Sequence, residues 1–117
     1  MNEGDVILTP IPQADGKAKN RPAIVLREMP GYGDLLVCGV STQVKQYIKN
    51  FDEIISPSDD DFQPSGLLAE SVVRLGFLAV LPIRKIAGSI GSISGERHKR
   101  LLASLSNYLI QKKNSTA

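Results

Sequence analysis

The sequence contains no tryptophan, one cysteine, one histidine and few aromatic residues of any kind. With three Tyr and three Phe in 117 residues, the core must be filled mainly by Val, Ile and Leu. The lone Cys38 excludes a framework of disulfide bonds, and one Cys with one His, His98, supplies too few ligands for a zinc site. Because Cys38 follows the apolar run 35–37, we expect a buried structural thiol in a reducing compartment rather than a nucleophile.

Long apolar runs and strong charge are also missing. No stretch approaches the roughly 20 apolar residues that a membrane-spanning helix needs, and the acidic N-terminus, residues 1–5, lacks the order of a signal peptide. The formal net charge of +2 is too small to indicate a nucleic-acid partner by itself. We therefore expect a cytoplasmic protein, and the length is that of one domain spanning residues 1–117.

Most of the chain consists of short β-like runs separated by clusters of Gly, Pro, Asp and Asn. The runs predict strands at 4–9, 21–26, 35–40, 51–55, 67–75 and 83–93. A polar loop is predicted at 10–20, a turn at 30–34 and a solvated loop at 56–63. That last loop contains Asp59, Asp60 and Asp61, which could suggest a metal site, but adjacent like charges repel and favour an exposed loop.

The hydrophobic period changes near the C-terminus. Leucines recur there every four residues, at Leu101, Leu105 and Leu109. Ser94 is a suitable N-cap, and the pattern predicts an amphipathic helix from about 95 to 111, followed by a frayed tail at 112–117. Six or seven short strands with one terminal helix indicate a mainly β fold, in which a strongly bent sheet closes into a small barrel and the helix packs on one side.

Four segments of the chain, taken in order, carry a family resemblance. They are the opening strand Gly4-Asp5-Val6-Ile7-Leu8, the Arg-Pro strand Lys19-Asn20-Arg21-Pro22-Ala23-Ile24-Val25-Leu26, the strand end Val40-Ser41-Thr42-Gln43, and Leu67-Leu68-Ala69-Glu70-Ser71 with the Gly-containing stretch after it. Each segment alone is common in proteins. In this order and spacing, and with the helical ending, the sequence resembles the MazF/PemK family of toxin endoribonucleases.

The resemblance implies a fold, an activity and partners. The fold would be an SH3-like barrel of the CcdB/PemK type, found in homodimers. The activity would be sequence-selective cleavage of single-stranded RNA through attack by the ribose 2′-OH, without a metal or other cofactor. The chain would then be the toxin of a type II toxin–antitoxin system, inhibited by a small antitoxin protein that occupies the RNA groove.

The resemblance also implies catalytic positions. Attack by a 2′-OH requires a base that takes its proton and a cation that stabilises the charged transition state. Arg21 corresponds to the functional arginine of the family, and its guanidinium forms forked hydrogen bonds to phosphate. Glu70 lies where the family places an acidic residue and would be the base. Ser41, at a position that is usually threonine, or the adjacent Thr42 would contact a phosphate oxygen; since neighbouring strand residues point to opposite faces, we expect only one of them, Ser41, to reach the site.

RNA binding would rest on basic and amide side chains around the same groove. The predicted contacts are Lys17, Lys19, Thr42, Gln43, Lys45, Lys49 and Arg74. Lysines would give salt-sensitive contacts to phosphate, whereas the choice of sequence requires contacts to unstacked bases. The few aromatic residues leave Tyr32 and Tyr47 as candidate stacking platforms.

The departures from the family pattern leave other hypotheses open. The loop at 13–20 has no histidine, although some members carry one there, and Leu68 stands where some carry arginine. An obvious general acid is therefore absent, which leaves a catalytically weak member, or a non-catalytic protein that poisons gyrase or another macromolecule, as alternatives. Arg21 and Glu70 could also form an ion pair with a purely structural purpose.

Overall fold

The computed structural model describes residues 1–12 and 16–111. Its strands are β1 (Asp5–Pro12), β2 (Ala18–Glu28), β3 (Leu35–Ser41), β4 (Glu53–Ile55), β5 (Ser71–Leu81) and β6 (Gly88–Ser92). Its helices are α1 (Phe62–Ser65) and α2 (Gly95–Ile110), and single 3₁₀ turns lie at Val44–Gln46 and Ile83–Lys85. None of the helices in these ranges is both long and apolar enough to cross a membrane.

All six strands belong to one antiparallel sheet, in the order β4-β5-β3-β2-β1-β6. The sheet curls into a half-barrel with β4 and β6 as its edges, and one long helix follows at the C-terminus. The prediction of a mainly β, SH3-like barrel of six or seven strands with a terminal helix is confirmed.

The curled sheet buries one face against α2. The larger apolar cluster joins alternate residues of the central strands to the leucines of α2, which is the pattern expected when every second strand residue faces a core. Its fully buried members are Val6, Ile24, Leu26, Cys38, Ile55, Val73, Leu75 and Leu101. A second, smaller cluster lies on the other face of the sheet and consists of Ile7, Ala23, Val25, Leu35 and Val37. Because both faces carry apolar residues, the central strands are apolar runs rather than alternating patterns.

The predicted terminal helix is confirmed together with its cap. The side chain of Ser94 accepts a hydrogen bond from the backbone N–H of Arg97 at 3.1 Å, and Leu101 and Leu105 are buried. The helix ends at Ile110, and the tail predicted at 112–117 lies outside the described residues.

Several predicted element bounds were wrong. Within the segment predicted as a loop at 10–20, residues 10–12 lie in β1 and residues 18–20 lie in β2, and the two strands pair from Val6↔Ile24 to Pro12↔Ala18. The strand predicted at 67–75 begins at Ser71 and continues to Leu81, and the stretch predicted as one strand at 83–93 contains a 3₁₀ turn before β6. The bounds of these strands depend on hydrogen bonds between segments that are distant in the sequence. Local composition does not encode those hydrogen bonds.

The acidic triplet is only partly the solvated loop that the sequence predicted, because Asp60 is exposed but Asp61 is buried. Arg97 is 6% exposed and donates through Nε and Nη2 to both carboxylate oxygens of Asp61, at 2.7 and 3.0 Å. Its guanidinium also donates to Asp59 at 3.1 Å, to Glu53 at 2.9 Å and to the carbonyl oxygen of Ile54 at 3.0 Å. The negative charges are therefore held together by a buried cation from α2, 36 residues further along the chain from Asp61.

Candidate functional site

The strand register places several of the predicted site residues on one face of the sheet. Ala23 pairs with Gly39, and Gly39 pairs with Arg74, so these three positions form a row across β2, β3 and β5. Residues two apart on a strand share a face. Arg21 on β2 and Ser41 on β3 therefore lie on the same face as Arg74.

At this end of the sheet an open cleft of about 660 Å³ separates the strands from the loop before β5. Its polar lining is formed by Arg21, Ser41, Thr42, Gln43, Gln46, Ser71 and Arg74. Its apolar lining is formed by Leu8, Pro22, Val40, Leu67, Leu68, Ala69, Phe77 and Ile90. Among the described residues that line the cleft, none is Asp, Glu, Lys or His. The two guanidinium groups and the apolar side chains of that lining suit an anion with an apolar part.

The two hydroxyl residues lie next to each other at the end of β3. Both Ser41 and Thr42 line the cleft, because β3 ends at Ser41 and Thr42 lies in a bend. The Oγ of Ser41 accepts a hydrogen bond from the backbone N–H of Gln43 at 3.0 Å, which tightens the bend. Both residues therefore border the cleft, and the choice of Ser41 as the acting hydroxyl stays a prediction.

Glu70 stands at the rim of the cleft and not among its lining residues. Its neighbours Ala69 and Ser71 line the cleft, but Glu70 itself is exposed, and its Oε2 accepts a hydrogen bond from Ser56 Oγ at 3.1 Å. The ion pairs within the described part of the chain do not join it to Arg21.

The predicted lysines and tyrosines lie outside the cleft lining. Lys17, Lys19 and Lys45 are exposed and are not among the lining residues. Lys19 lies two residues before Arg21 on β2 and so extends the basic face of that strand. Tyr32 is 96% exposed on the turn between β2 and β3, and Tyr47 follows the 3₁₀ turn without lining the cleft.

Sequence reasoning missed the aromatic residue that does line the cleft. Phe77 is 44% exposed and lies on β5 beside Gly76. A glycine inside a strand pattern often marks a bulge or a close backbone approach, so Gly76 was a usable signal. The amide of Gln46, which also lines the cleft, had no comparable signal.

The loop wall of the cleft is fixed by contact between two backbones. Gly66 ends α1 in a left-handed conformation, with φ +75°, and Leu67 and Leu68 follow it in the wall. A Cβ on Gly66 would collide with the carbonyl oxygen of Ile90, and a Cβ on Gly91 would collide with that of Pro64. Glycine at both positions therefore allows α1 to lie directly on β6.

Cys38 and His98 take no part in the cleft. Burial raises the pKa of the Cys38 thiol to about 12, so the predicted structural thiol is confirmed as buried and stays protonated. The Nε2 of His98 donates a hydrogen bond to the carbonyl oxygen of Leu26 at 2.8 Å, which anchors α2 to β2.

Comparison with known proteins identifies a family and a fold that is shared with solved structures. The family described as "PemK-like, MazF-like toxin of type II toxin-antitoxin system" matches residues 2–109. Among solved structures, the chain is similar to the Mycobacterium tuberculosis toxin MazF-mt6, with a TM-score of 0.65 and 20% sequence identity, over 93% of this chain and 99% of that one. At this identity the likeness concerns the fold. No curated protein sequence matches the chain.

Proposed function

Because the chain belongs to the PemK-like, MazF-like toxin family of type II toxin–antitoxin systems, we propose that it is a metal-independent endoribonuclease that cleaves single-stranded RNA in the cytoplasm. The observation that carries the proposal is the convergence of Arg21, Arg74 and two hydroxyls in one cleft whose described lining includes no carboxylate. Two permanent cations can bind a phosphodiester and stabilise the additional negative charge of its transition state.

The proposed reaction is an internal attack within the RNA chain. The 2′-oxygen bonds to the adjacent phosphorus, and the bond from phosphorus to the 5′-oxygen breaks, which leaves a 2′,3′-cyclic phosphate and a 5′-hydroxyl. Arg21 and Arg74 hold the phosphate, while Ser41 or Thr42 donates a hydrogen bond to one of its oxygens. The 5′-oxygen takes its proton from water.

Glu70 is the proposed base for the 2′ proton. Its backbone lies between two lining residues, Ala69 and Ser71, and this role requires the side chain to leave Ser56 and turn toward the cleft when RNA binds. Side chains in exposed positions change rotamer within nanoseconds, and catalytic hydrogen bonds are often formed only when substrate is bound.

The test is cleavage of a long, unstructured RNA in the presence of EDTA. Wild type should produce discrete cuts with cyclic phosphate ends, and Arg21→Ala should lower the rate by about 10²–10³-fold, as expected when one transition-state contact is removed. Glu70→Ala should lower the rate as well. Arg27→Ala is a matched control, because Arg27 lies on the same strand but pairs with Glu3 outside the cleft. Intact RNA after incubation with folded wild type would refute the proposal.

A non-catalytic toxin is the second candidate. The observation that favours it is the described cleft lining, which includes neither histidine nor carboxylate. Such a protein would bind its target and block it without chemistry, as a gyrase poison does. Inhibition of DNA supercoiling by wild type that leaves RNA intact would support this candidate; cleaved RNA with normal supercoiling would exclude it.

We also propose that the protein forms a homodimer and that its antitoxin competes with RNA for the cleft. Support for the dimer is an open apolar groove of about 650 Å³ beside the end of α2, lined by Ile48, Phe51, Leu78, Tyr108 and Leu109 among others. Light scattering should give twice the chain mass for wild type and the monomer mass for Leu109→Glu. A monomeric wild type would contradict the proposed dimer.

The proposed competition is tested by adding antitoxin to the complex of protein and RNA oligonucleotide. Antitoxin should displace the bound oligonucleotide.

A further inference from the structure

Strand β5 contains an irregularity directly beside the cleft. Arg74 pairs with Gly39 of β3, and the next residue of β3 in the ladder, Cys38, pairs with Leu78. Residues 75–77 are therefore inserted on β5 with no partner positions on β3. Bulges of this kind bend a strand and change the direction of its side chains, and they are frequent beside functional sites.

The bulge is held in place by a buried carboxylate. The backbone N–H of Leu75 donates to Asp52 Oδ1 at 3.0 Å, and Asp52 Oδ2 accepts from the backbone N–H of Ile48 at 2.9 Å. Asp52 is 5% exposed. A buried N–H that a bulge removes from the ladder requires another acceptor, and Asp52 supplies it, so the bulge is a fixed feature of the fold.

The bulge places the ring of Phe77 on the backbone of β3. A Cβ built on Gly39 would lie 2.9 Å from Cδ1, 3.4 Å from Cγ and 3.6 Å from Cβ of Phe77, so the ring occupies the space that a side chain at position 39 would fill. The phenyl group is nevertheless 44% exposed, and among the described lining residues of the cleft it is the aromatic one. Contact with Gly39 therefore fixes the position of the ring, while part of the ring surface remains exposed to solvent.

We propose that Phe77 is the stacking platform for one unpaired nucleobase of the bound RNA strand. The proposal rests on the endoribonuclease function and adds a base subsite to it. Every base has an apolar π-face that stacks on an aromatic side chain, whereas bases inside a duplex cover those faces with each other. A platform in the cleft therefore selects single-stranded RNA.

The surroundings of the ring favour a nucleotide over an apolar peptide side chain. Arg21 and Arg74 line the same cleft and suit a phosphate, and the amide of Gln43 can both donate to and accept from a base edge. One nucleotide could then contact both parts of the cleft, with its base stacked on Phe77 and its phosphate bound by Arg21 and Arg74.

The test uses an RNA oligonucleotide that carries 2′-O-methyl groups throughout, so that binding is measured by fluorescence anisotropy without cleavage. Phe77→Ala and Phe77→Leu should weaken binding roughly 5- to 150-fold, the range for loss of one base–aromatic stack, and Phe77→Trp should retain it. Val80→Ala is the matched control, because Val80 is also an exposed apolar residue of β5 but does not line the cleft. Thermal unfolding of each variant confirms that it is folded.

A second measurement identifies the base. Abasic nucleotides are placed at each position of the oligonucleotide in turn. An abasic nucleotide at one position should weaken binding of the oligonucleotide to wild type. The same abasic nucleotide should weaken binding to Phe77→Ala little further, since loss of the base and loss of the ring remove the same contact.

The outcomes separate this proposal from the function on which it rests. RNA cleavage by wild type with unchanged oligonucleotide binding by Phe77→Ala would overturn the platform and leave the ribonuclease intact. Weakened binding by Phe77→Leu, with additive rather than shared abasic effects, would show that the ring only covers Gly39 and would also overturn it. Absence of both cleavage and binding in wild type would overturn the proposed function and the platform together.

Discussion

Replacement of Arg97 by methionine should be among the most destabilising single changes in this protein. Methionine keeps much of the side-chain volume in the helix but removes the guanidinium. Glu53 would still be paired with Arg100 at 2.9 Å, and Asp59, which is partly exposed, would still accept from the backbone N–H of Ser56. Asp61 would instead remain buried with its charge unpaired, although the backbone N–H of Ser94 would still donate to it.

The expected size follows from that unpaired charge. Removal of one partner from a buried ion pair costs about 3–5 kcal/mol, which is a large part of the roughly 5–15 kcal/mol that stabilises a typical domain. In a chain of this length the loss corresponds to a fall of roughly 10–25 °C in the unfolding midpoint. Arg100→Met is the matched control: Arg100 also pairs with Glu53 from α2 but is 54% exposed, and an exposed pair contributes about 0–1 kcal/mol.

The assay is urea unfolding followed by circular dichroism, with a double variant to assign the cause. Addition of Asp61→Asn to Arg97→Met removes the unpaired charge and should restore part of the lost free energy of unfolding. If Arg97→Met costs no more than Arg100→Met, or if the double variant is no more stable than Arg97→Met alone, the buried ion pair does not hold α2 to the acidic loop and the reasoning fails.

Further predictions concern pH, packing and the thiol. Burial alone would raise the pKa of Asp61, but hydrogen bonds from Arg97 and Ser94 and the charge of Arg97 lower it overall, so the stability from this group is present above about pH 4 and is lost as the pH falls below that value; acid titration of the unfolding midpoint checks the sign, and Asp61→Asn should flatten the titration. Gly91→Ala should destabilise by about 1–3 kcal/mol or more because its Cβ meets backbone oxygen, whereas Gly95→Ala, which meets nothing within 4 Å, should be tolerated; equal midpoints would contradict the contact. Cys38 should not react with a disulfide reagent at pH 8 until the protein is unfolded, because its pKa is about 12 and it is buried; rapid reaction of the folded protein, followed by absorbance, would refute this.

Local sequence patterns correctly predicted the helix and the strand that have the strongest hydrophobic and capping signals. The four-residue spacing of leucines and the serine cap predicted α2, and the apolar run at 35–40 predicted β3 within one residue of its observed end at Ser41. The segment at 10–20 was mispredicted because polar residues on a strand arm resemble loop composition. Pairing of residues 10–12 of β1 with residues 18–20 of β2 makes these parts of the segment extended.

The candidate site was predicted in part. Arg21, Ser41, Thr42, Gln43 and Arg74 all line the cleft, and the family motifs had marked them. Glu70 was marked in the same way but lies at the rim. Its side-chain direction depends on the bend of the chain between α1 and β5, which sequence spacing does not encode.

By itself the sequence determined the family, the mainly β fold and the segments that contribute to the site, because these depend on hydrophobic period and on short ordered motifs. The tertiary structure decided which side chains share a surface. A three-residue bulge in β5 places Phe77 on Gly39. Arg97 brings Asp59 and Asp61 of the acidic run together in one ion network. Both depend on residues far apart in the chain, whose approach is fixed by strand register and by the satisfaction of buried polar groups.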